Sequence, residues 1–395
     1  MNRFIDLKTA TLEKADRCVK CGLCSAQCPT YNIEGSENES PRGRISLAQA
    51  IASDQVTDDT LLKKHIESCL NCRRCEKACP SGVEVSEIMA NTRGIINNNK
   101  PQKSNAILAN WIANRTFSDW QKIAPLVRAT KKIGFLRLLP QLKPILQYIK
   151  AAEPPPIKQH QSHSGDIFLF TGCTSQILDP DTISEAQQLL ALCGYNVLLP
   201  ANQVCCGALP HHKGLLNTAK QCETKNVSAF GGEQTPVIFL ATACGATLKA
   251  YEDNDFLDRV FNINIFLNSV GALDRLQFKA TNKRVLVHAP CTEKNALKER
   301  GSVEQLLSHL PNTEIISLKE STGCCGAAGD YMINNASMAN KIRLPLISDI
   351  ETINPDIIVT SNYTCGIHIK NGLLEKNLDI PVLHPIRLLL KYISL

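Results

Sequence analysis

Two stretches of this chain, CVKCGLCSAQCP at residues 18–29 and CLNCRRCEKACP at residues 69–80, repeat one pattern, C-x2-C-x2-C-x3-C-P, 51 residues apart. Three thiols three residues apart wrap a loop around one cubane, so that three irons each take one sulfur, while the fourth lies a turn further on and reaches the other cluster. The spacing therefore predicts two [4Fe-4S] clusters with crossed ligation. Cys18, Cys21, Cys24 and Cys79 hold one, and Cys69, Cys72, Cys75 and Cys28 hold the other. Pro29 and Pro80 end the loops, and Gly22 and Gly82 relax the backbone.

A pair of zinc knuckles explains the pattern less well. Tetrahedral zinc takes two C-x2-C pairs, which leaves the third thiol of each run surplus. The N-terminal stretch MNRFIDLKTATLEKADRC carries charges throughout and no apolar core of a secretory signal. A cytoplasmic location is expected, where close thiols read as metal ligands before disulfides. No run of about 18 apolar residues is present, so the expectation is a soluble chain, at most peripheral on the cytoplasmic face of the inner membrane.

The C-terminal part repeats internally. DIFLFTGCTSQILDP matches RVLVHAPCTEKNALK, NQVCCGALP matches STGCCGAAG, and TPVIFLATACGATLKAY matches PDIIVTSNYTCGIHIKN. Cys291 follows Cys173 by 118 residues, Cys324 follows Cys205 by 119 and Cys365 follows Cys244 by 121. In each unit three short apolar runs alternate with helical stretches, which predicts a parallel sheet covered on both faces. Sites in such sheets lie outside the carboxyl ends of the strands. The thiols of Cys173, Cys205, Cys206 and Cys244, and those of Cys291, Cys324, Cys325 and Cys365, all follow strand ends, so each set is expected to converge on a metal pocket. Gly207 and Gly326 allow the turn that adjacent cysteines need.

Paired ferredoxin hooks followed by two Cys-Cys-Gly units resemble the iron–sulfur subunit of bacterial glycolate oxidase. The PRGR segment at 41–44 and CLNCRRCEKACPSGV at 69–83 carry the resemblance most specifically. Corresponding subunits of anaerobic glycerol-3-phosphate dehydrogenase and of heterodisulfide reductase are more distant relatives. The resemblance implies an electron-transfer subunit of a flavin-dependent 2-hydroxy-acid dehydrogenase. An FAD-containing partner oxidises the substrate, glycolate or D-lactate, and the clusters pass electrons to a quinone or a membrane surface. No substrate oxidation is expected from this chain alone, and the implied catalytic residues are none. In the heterodisulfide reductase branch each unit ends in C-x-x-C; here Thr247 and His368 stand where the last thiol would be. A cubane, a [2Fe-2S] centre, a zinc ion and an empty thiol pocket all remain open for the repeats. His368 is expected to pack rather than to ligate, as are His211, His212 and His288, and Cys193 and Cys222 to be buried as small hydrophobes.

The fold class expected is multi-domain α+β and α/β: a helical bacterial-type 2[4Fe-4S] ferredoxin domain at 1–96, a basic helical connector and linker at 97–165, and cysteine-rich domains with parallel sheets at 166–282 and 283–395. The formal charge of +6 is uneven. Residues 97–150 hold ten Lys/Arg and one acid, Asp119, and both tryptophans, Trp111 and Trp120. Helical spacing there is expected to break at Pro125 and Pro140. Such a segment suits either a helix on an anionic lipid surface or a pair of helices packing the two halves together. Nucleic acid is not expected, since no stacking platform accompanies the charge. Pro41 is expected to open a helix whose first-turn cations, Arg42 and Arg44, stay solvated.

Overall fold

A computed structural model describes residues 2–56, 60–98, 104–134, 142–149, 164–231, 234–319 and 323–394. The hooks hang from three helices, Asn2–Ala15, Pro41–Ala52 and Val85–Asn98, which pack against one another. Pro41 does open its helix: Ser40 caps it, its Oγ accepting from the Gly43 N–H at 2.9 Å. Ala15, Ile45, Ala48, Ile66, Val83, Val85, Ile88 and Met89 form the core beneath, and Cys18, Cys69, Cys75 and Cys79 pack on it. Each fully buried Ile or Met contributes about 1.5–3 kcal/mol, so the loops rest on a firm base.

Two four-stranded sheets follow, parallel throughout. The first comprises β1 (Gly165–Phe170), β2 (Tyr195–Leu198), β3 (Val237–Phe239) and β4 (Val260–Asn262), in the order β2-β1-β3-β4. The second comprises β5 (Lys283–Val287), β6 (Thr313–Ser317), β7 (Ile357–Val359) and β8 (Val382–Leu383), in the order β6-β5-β7-β8. In the first, Phe168 stands beside both Leu198 and Val237; in the second, Val285 stands beside Ile315 and Ile357. Strand order reverses between β1 and β3, and again between β5 and β7, so each sheet has a switch point there. The edge strands β4 and β8 add a fourth strand to the three expected per unit. At three and two residues they are too short to show any period.

One face of each sheet joins a single shared core. Ile167, Leu169 and Ile238 of the first unit meet Val285, Val287 and Ile357 of the second within it. The helices that close this core are exchanged. Helix Pro180–Leu192 of the first unit packs on Pro385–Lys391 of the second, and helix Ile263–Ser269 of the first packs on Ser302–Leu307 of the second. Arg387 fastens the first pair through Glu185 at 2.9 Å and Asp181 at 3.3 Å.

The connector forms helices Ser104–Ala113 and Phe117–Lys132. The second starts at a capping box in which Thr116 and Asp119 satisfy each other's backbone N–H. It runs through Pro125, against the break expected there. Pro125 and Gln121, whose carbonyl loses its helical donor, both face solvent, so water replaces the bond. Pro140 and the linker 150–163 lie outside the described residues. Trp120 is buried against Ala124, Ile149 and Ile177 and meets Trp111 edge-on at 6.0 Å. Helix Phe117–Lys132 is tied to the first repeat by the N–H groups of Phe117 and Ser118, which donate to the carbonyls of Gln203 and Ala201.

Candidate functional site

Both hooks bend at the same places. Lys20 and Gly22 between the first thiols, and Asn71 and Arg73 between the matching ones, have left-handed backbone, with φ of 54°, 86°, 52° and 57°. Glycine and asparagine accept this readily; lysine and arginine are strained by about 1–3 kcal/mol. Such strain persists where the loop is fixed by what it encloses.

Thiols of the two hooks stand near one another. Cys24 has its pKa raised, first by burial and also by Cys18 and Cys79, so Cys79 of the second hook stands with the first. Cys28 stands with the second: one cavity is lined by Cys28, Cys69, Cys72 and Cys75 together. Burial pushes Cys72 up to about 12 and Cys75 well up, with neighbouring thiols adding to it. Thiolates in this cavity need positive charge beside them, and the donor set fits an iron–sulfur group.

Part of that charge is Arg44, which corrects the expectation of a solvated cation. It is 1% exposed. Its guanidinium donates to the Glu39 carbonyl at 2.6 Å, the His65 carbonyl at 2.8 Å, Thr30 Oγ1 at 3.0 Å and Ser68 Oγ at 2.8 Å, pairs with the Glu39 carboxylate, and reaches Cys28 Sγ at 3.6 Å. Six partners offset the desolvation that normally keeps arginine outside. Arg42 remains at the surface, paired with Glu37 and donating to the Lys20 carbonyl at 3.2 Å. Sequence reasoning passed over a second buried cation. Arg93 donates to the carbonyls of Cys69 at 2.9 Å, Ile66 at 2.8 Å and His212 at 2.8 Å, joining the second hook to the first repeat. Its one signal was a charge inside the apolar stretch of EIMANTRGII.

In each repeat the four thiols form a row. Successive neighbours are Cys173, Cys205, Cys206 and Cys244 in the first, and Cys291, Cys324, Cys325 and Cys365 in the second. Cys325 and Cys365 have their sulfurs 2.8 Å apart. Gly207 and Gly326 turn the chain with φ of 91° and 74°, and their N–H groups donate to Cys205 Sγ and Cys324 Sγ, each at 3.4 Å. A Cβ on Gly326 would lie 2.4 Å from the Ala339 carbonyl oxygen, so glycine is required. Coupling to neighbouring thiols, and after it burial, puts Cys173, Cys205, Cys206, Cys291 and Cys325 well above the ordinary thiol value. Cys324 is the exception: hydrogen bonds from Cys291 and Cys325 lower its pKa well below the ordinary value.

The second row borders the hooks. After burial, Cys324 contributes most to raising Cys72, and Asn295 Nδ2 donates to the Cys72 carbonyl at 2.7 Å. Tyr363, two residues before Cys365, reaches the first row, its hydroxyl 2.6 Å from Thr174 Oγ1 and its pKa raised by burial and by Cys173 and Cys244. One hook set, the second row and the first row are thus successive neighbours.

The histidines pack. His368 Nδ1 donates to the Cys325 carbonyl at 2.6 Å, and Nε2 meets the Asn340 side chain at 3.1 Å; burial holds its pKa at about 4, so the ring is neutral. His288 Nδ1 bonds Thr360 at 3.0 Å, His211 meets Glu87 at 3.3 Å, and His212 is half-buried, its carbonyl accepting from Arg93 at 2.8 Å. Cys193 and Cys222 are buried, the latter donating to the Ala113 carbonyl at 3.6 Å.

Residues 14–83 match the family described as 4Fe-4S dicluster domain, and residues 167–249 and 285–370 each match the family described as Cysteine-rich domain. The chain is 30% identical to the glycolate oxidase iron-sulfur subunit of Escherichia coli, over 90% of this chain and 89% of that one. It is 29% identical to the probable glycolate oxidase iron-sulfur subunit of Bacillus subtilis, over 92% and 90%. The crystal structure of a hypothetical protein from Helicobacter pylori shares the fold at a TM-score of 0.55 and 9% identity, covering 91% of this chain and 68% of that one.

Proposed function

The chain belongs to the family of glycolate oxidase iron–sulfur subunits, and from that premise we propose that it relays electrons from an FAD-containing partner, which oxidises glycolate or D-lactate, toward a quinone. Cys18, Cys21, Cys24 and Cys79 would hold one [4Fe-4S] cluster and Cys28, Cys69, Cys72 and Cys75 a second. Bound there, the clusters supply one-electron carriage. The residues of the chain do the rest: the hooks enclose, Arg44 offsets the charge of the second thiol set, and Asn295 fixes Cys72 against the repeats. The thiol rows are the places for a further metal or iron–sulfur centre.

The observation that carries this reading is the cavity shared by Cys28 with Cys69, Cys72 and Cys75, next to the second thiol row. A thiol–disulfide reductase of the heterodisulfide type is less well supported, because each row lacks the fifth thiol and His368, in its place, has both ring nitrogens engaged. The test uses the anaerobically purified chain with glycolate, D-lactate and a dye acceptor. No turnover is expected until the flavoprotein is added. Turnover by the flavin-free chain would overturn the subunit reading.

No helix among the described residues is long and apolar enough to cross a membrane. The connector helices nevertheless expose Ile107, Leu108, Trp111, Leu126 and Ile133. With the basic residues around them they offer a surface for peripheral contact with anionic lipid.

A further inference from the structure

The two hooks are one motif in two surroundings. In the second, Leu70 is 7% exposed and belongs to the core that holds Cys324, Cys325 and Cys365, and the Cys72 carbonyl accepts from Asn295. The second repeat therefore covers that loop. The equivalent positions of the first hook, 51 residues earlier, are bare. Val19 stands where Leu70 does and is 71% exposed. Cys21 stands where Cys72 does and is the one exposed thiol of the 18. Leu23, between Cys21 and Cys24, is 62% exposed. The loop is not free to fold these side chains away: Lys20 has left-handed backbone, and its carbonyl is held by Arg42.

The rim of this face is cationic. Arg42 is answered by Glu37 at 2.6 Å, and the Asp16 carboxylate is turned to the Gln49 amide at 2.7 Å. Arg17 and Lys20 have no carboxylate partner among the described residues. An apolar centre beside unanswered cations fits a protein face that is itself apolar at its centre and acidic around it.

The order of the thiol sets indicates which protein that is. The first hook set adjoins the second, the second adjoins the second row, and Tyr363 links that row to the first row. Cys173 of the first row packs against the Trp120 core of the connector. This line has two ends. The connector end carries the basic and apolar surface suited to lipid, and so to the acceptor side. The first hook is left for the electron donor.

We propose that the face of Val19, Cys21 and Leu23, flanked by Arg17 and Lys20, docks the FAD-containing partner through an apolar spot ringed by acidic side chains on that partner. The proposal rests on the electron-transfer reading above and gives the electrons their point of entry.

The partner subunit, purified with its FAD, is immobilised, and the cluster-loaded chain is passed over it. Iron content and the paramagnetic resonance of the reduced clusters report that each variant is intact. Leu23→Glu and Arg17→Glu should each bind about tenfold more weakly than wild type, and the Arg17→Glu loss should shrink in high salt. Arg17 lies outside the hook, so it remains informative if Leu23→Glu loses iron. Leu126→Glu, at an exposed position of the connector, should bind as the wild type does. Wild-type affinity in either variant that retains its iron, or weakening by Leu126→Glu, would overturn the proposal. So would unaltered affinity for the partner joined to lost binding of anionic vesicles, or to lost self-association in sedimentation, which would give the face to lipid or to a second copy. Reduction of the clusters by glycolate or D-lactate in the wild-type mixture is read separately. Its absence sinks the electron-transfer reading, whereas reduced clusters with unaltered variant affinities sink the docking face alone.

Discussion

The Arg44 guanidinium stands 3.6 Å from Cys28 Sγ while holding the carbonyl that ends the turn at Glu39. One buried side chain thus supplies both charge and shape to the second thiol set. Arg44→Met should leave Glu39 buried without its cation and cost about 3–5 kcal/mol, read as a fall in thermal midpoint. Arg44→Lys should keep the charge yet lose the fork, since an ammonium cannot span carbonyl, carboxylate and sulfur together. In any Arg44→Met protein that retains iron, the second cluster should become harder to reduce, because the cation that favours the added electron is gone. A potential equal to wild type would show that Arg44 acts on structure alone.

Crossed thiol sets predict crossed lesions. Cys28→Ser should damage the cluster held mainly by the second hook, and Cys79→Ser the one held mainly by the first. Iron and acid-labile sulfide near eight atoms each are expected for the intact chain, about four per cluster. Paramagnetic resonance identifies which signal each variant loses. Loss of the first signal in Cys28→Ser would disprove the crossing.

Glu293 is fully buried, and burial, with Glu304 and Glu299 adding, raises its pKa from 4.5 to about 8. The folded chain therefore holds a proton there that the unfolded chain releases. Stability from this group is complete below pH 4.5 and is lost as pH rises through about 8. Glu293→Gln removes the titration while keeping the shape. Relative to its value in acid, its thermal midpoint should gain on wild type as pH rises from 4.5 to about 8 and then hold a constant lead, a difference that does not change with pH across that window being the contrary result.

The connector surface predicts salt-sensitive binding to lipid. Co-sedimentation with anionic vesicles should fade in high salt, and fade further when exposed Lys122 and Lys132 are changed to Gln, by about 1 kcal/mol for each cation at the surface. Equal partitioning onto neutral and anionic vesicles would assign these helices to packing alone.

Local features were legible in the sequence and distant ones were not. The hooks announce themselves because ligand spacing along twelve residues is a property of the chain itself, and β1, β3, β5 and β7 because each is an apolar run between helical stretches. Arg44 and Arg93 were not legible as interior cations: nothing near them in sequence shows the carbonyls of His65 or His212 that receive them. Pro125 was misleading for the opposite reason, since its cost depends on whether the opposing carbonyl is wet. A cavity between the hook domain and the repeats is formed by four segments far apart in the chain, and no pattern in any one of them records it.

The exchanged helices of the two repeats are related reciprocally. What Pro180–Leu192 does to Pro385–Lys391, Ser302–Leu307 does to Ile263–Ser269, which is the reciprocity of a twofold self-association. A solitary unit of this kind would bury its apolar face only by finding a twin, and its persistence would depend on how concentrated it was. Fusion in tandem makes that meeting intramolecular. The joined halves need not be equivalent, and they are not: the second row lies against the hooks, while the first is reached through Tyr363.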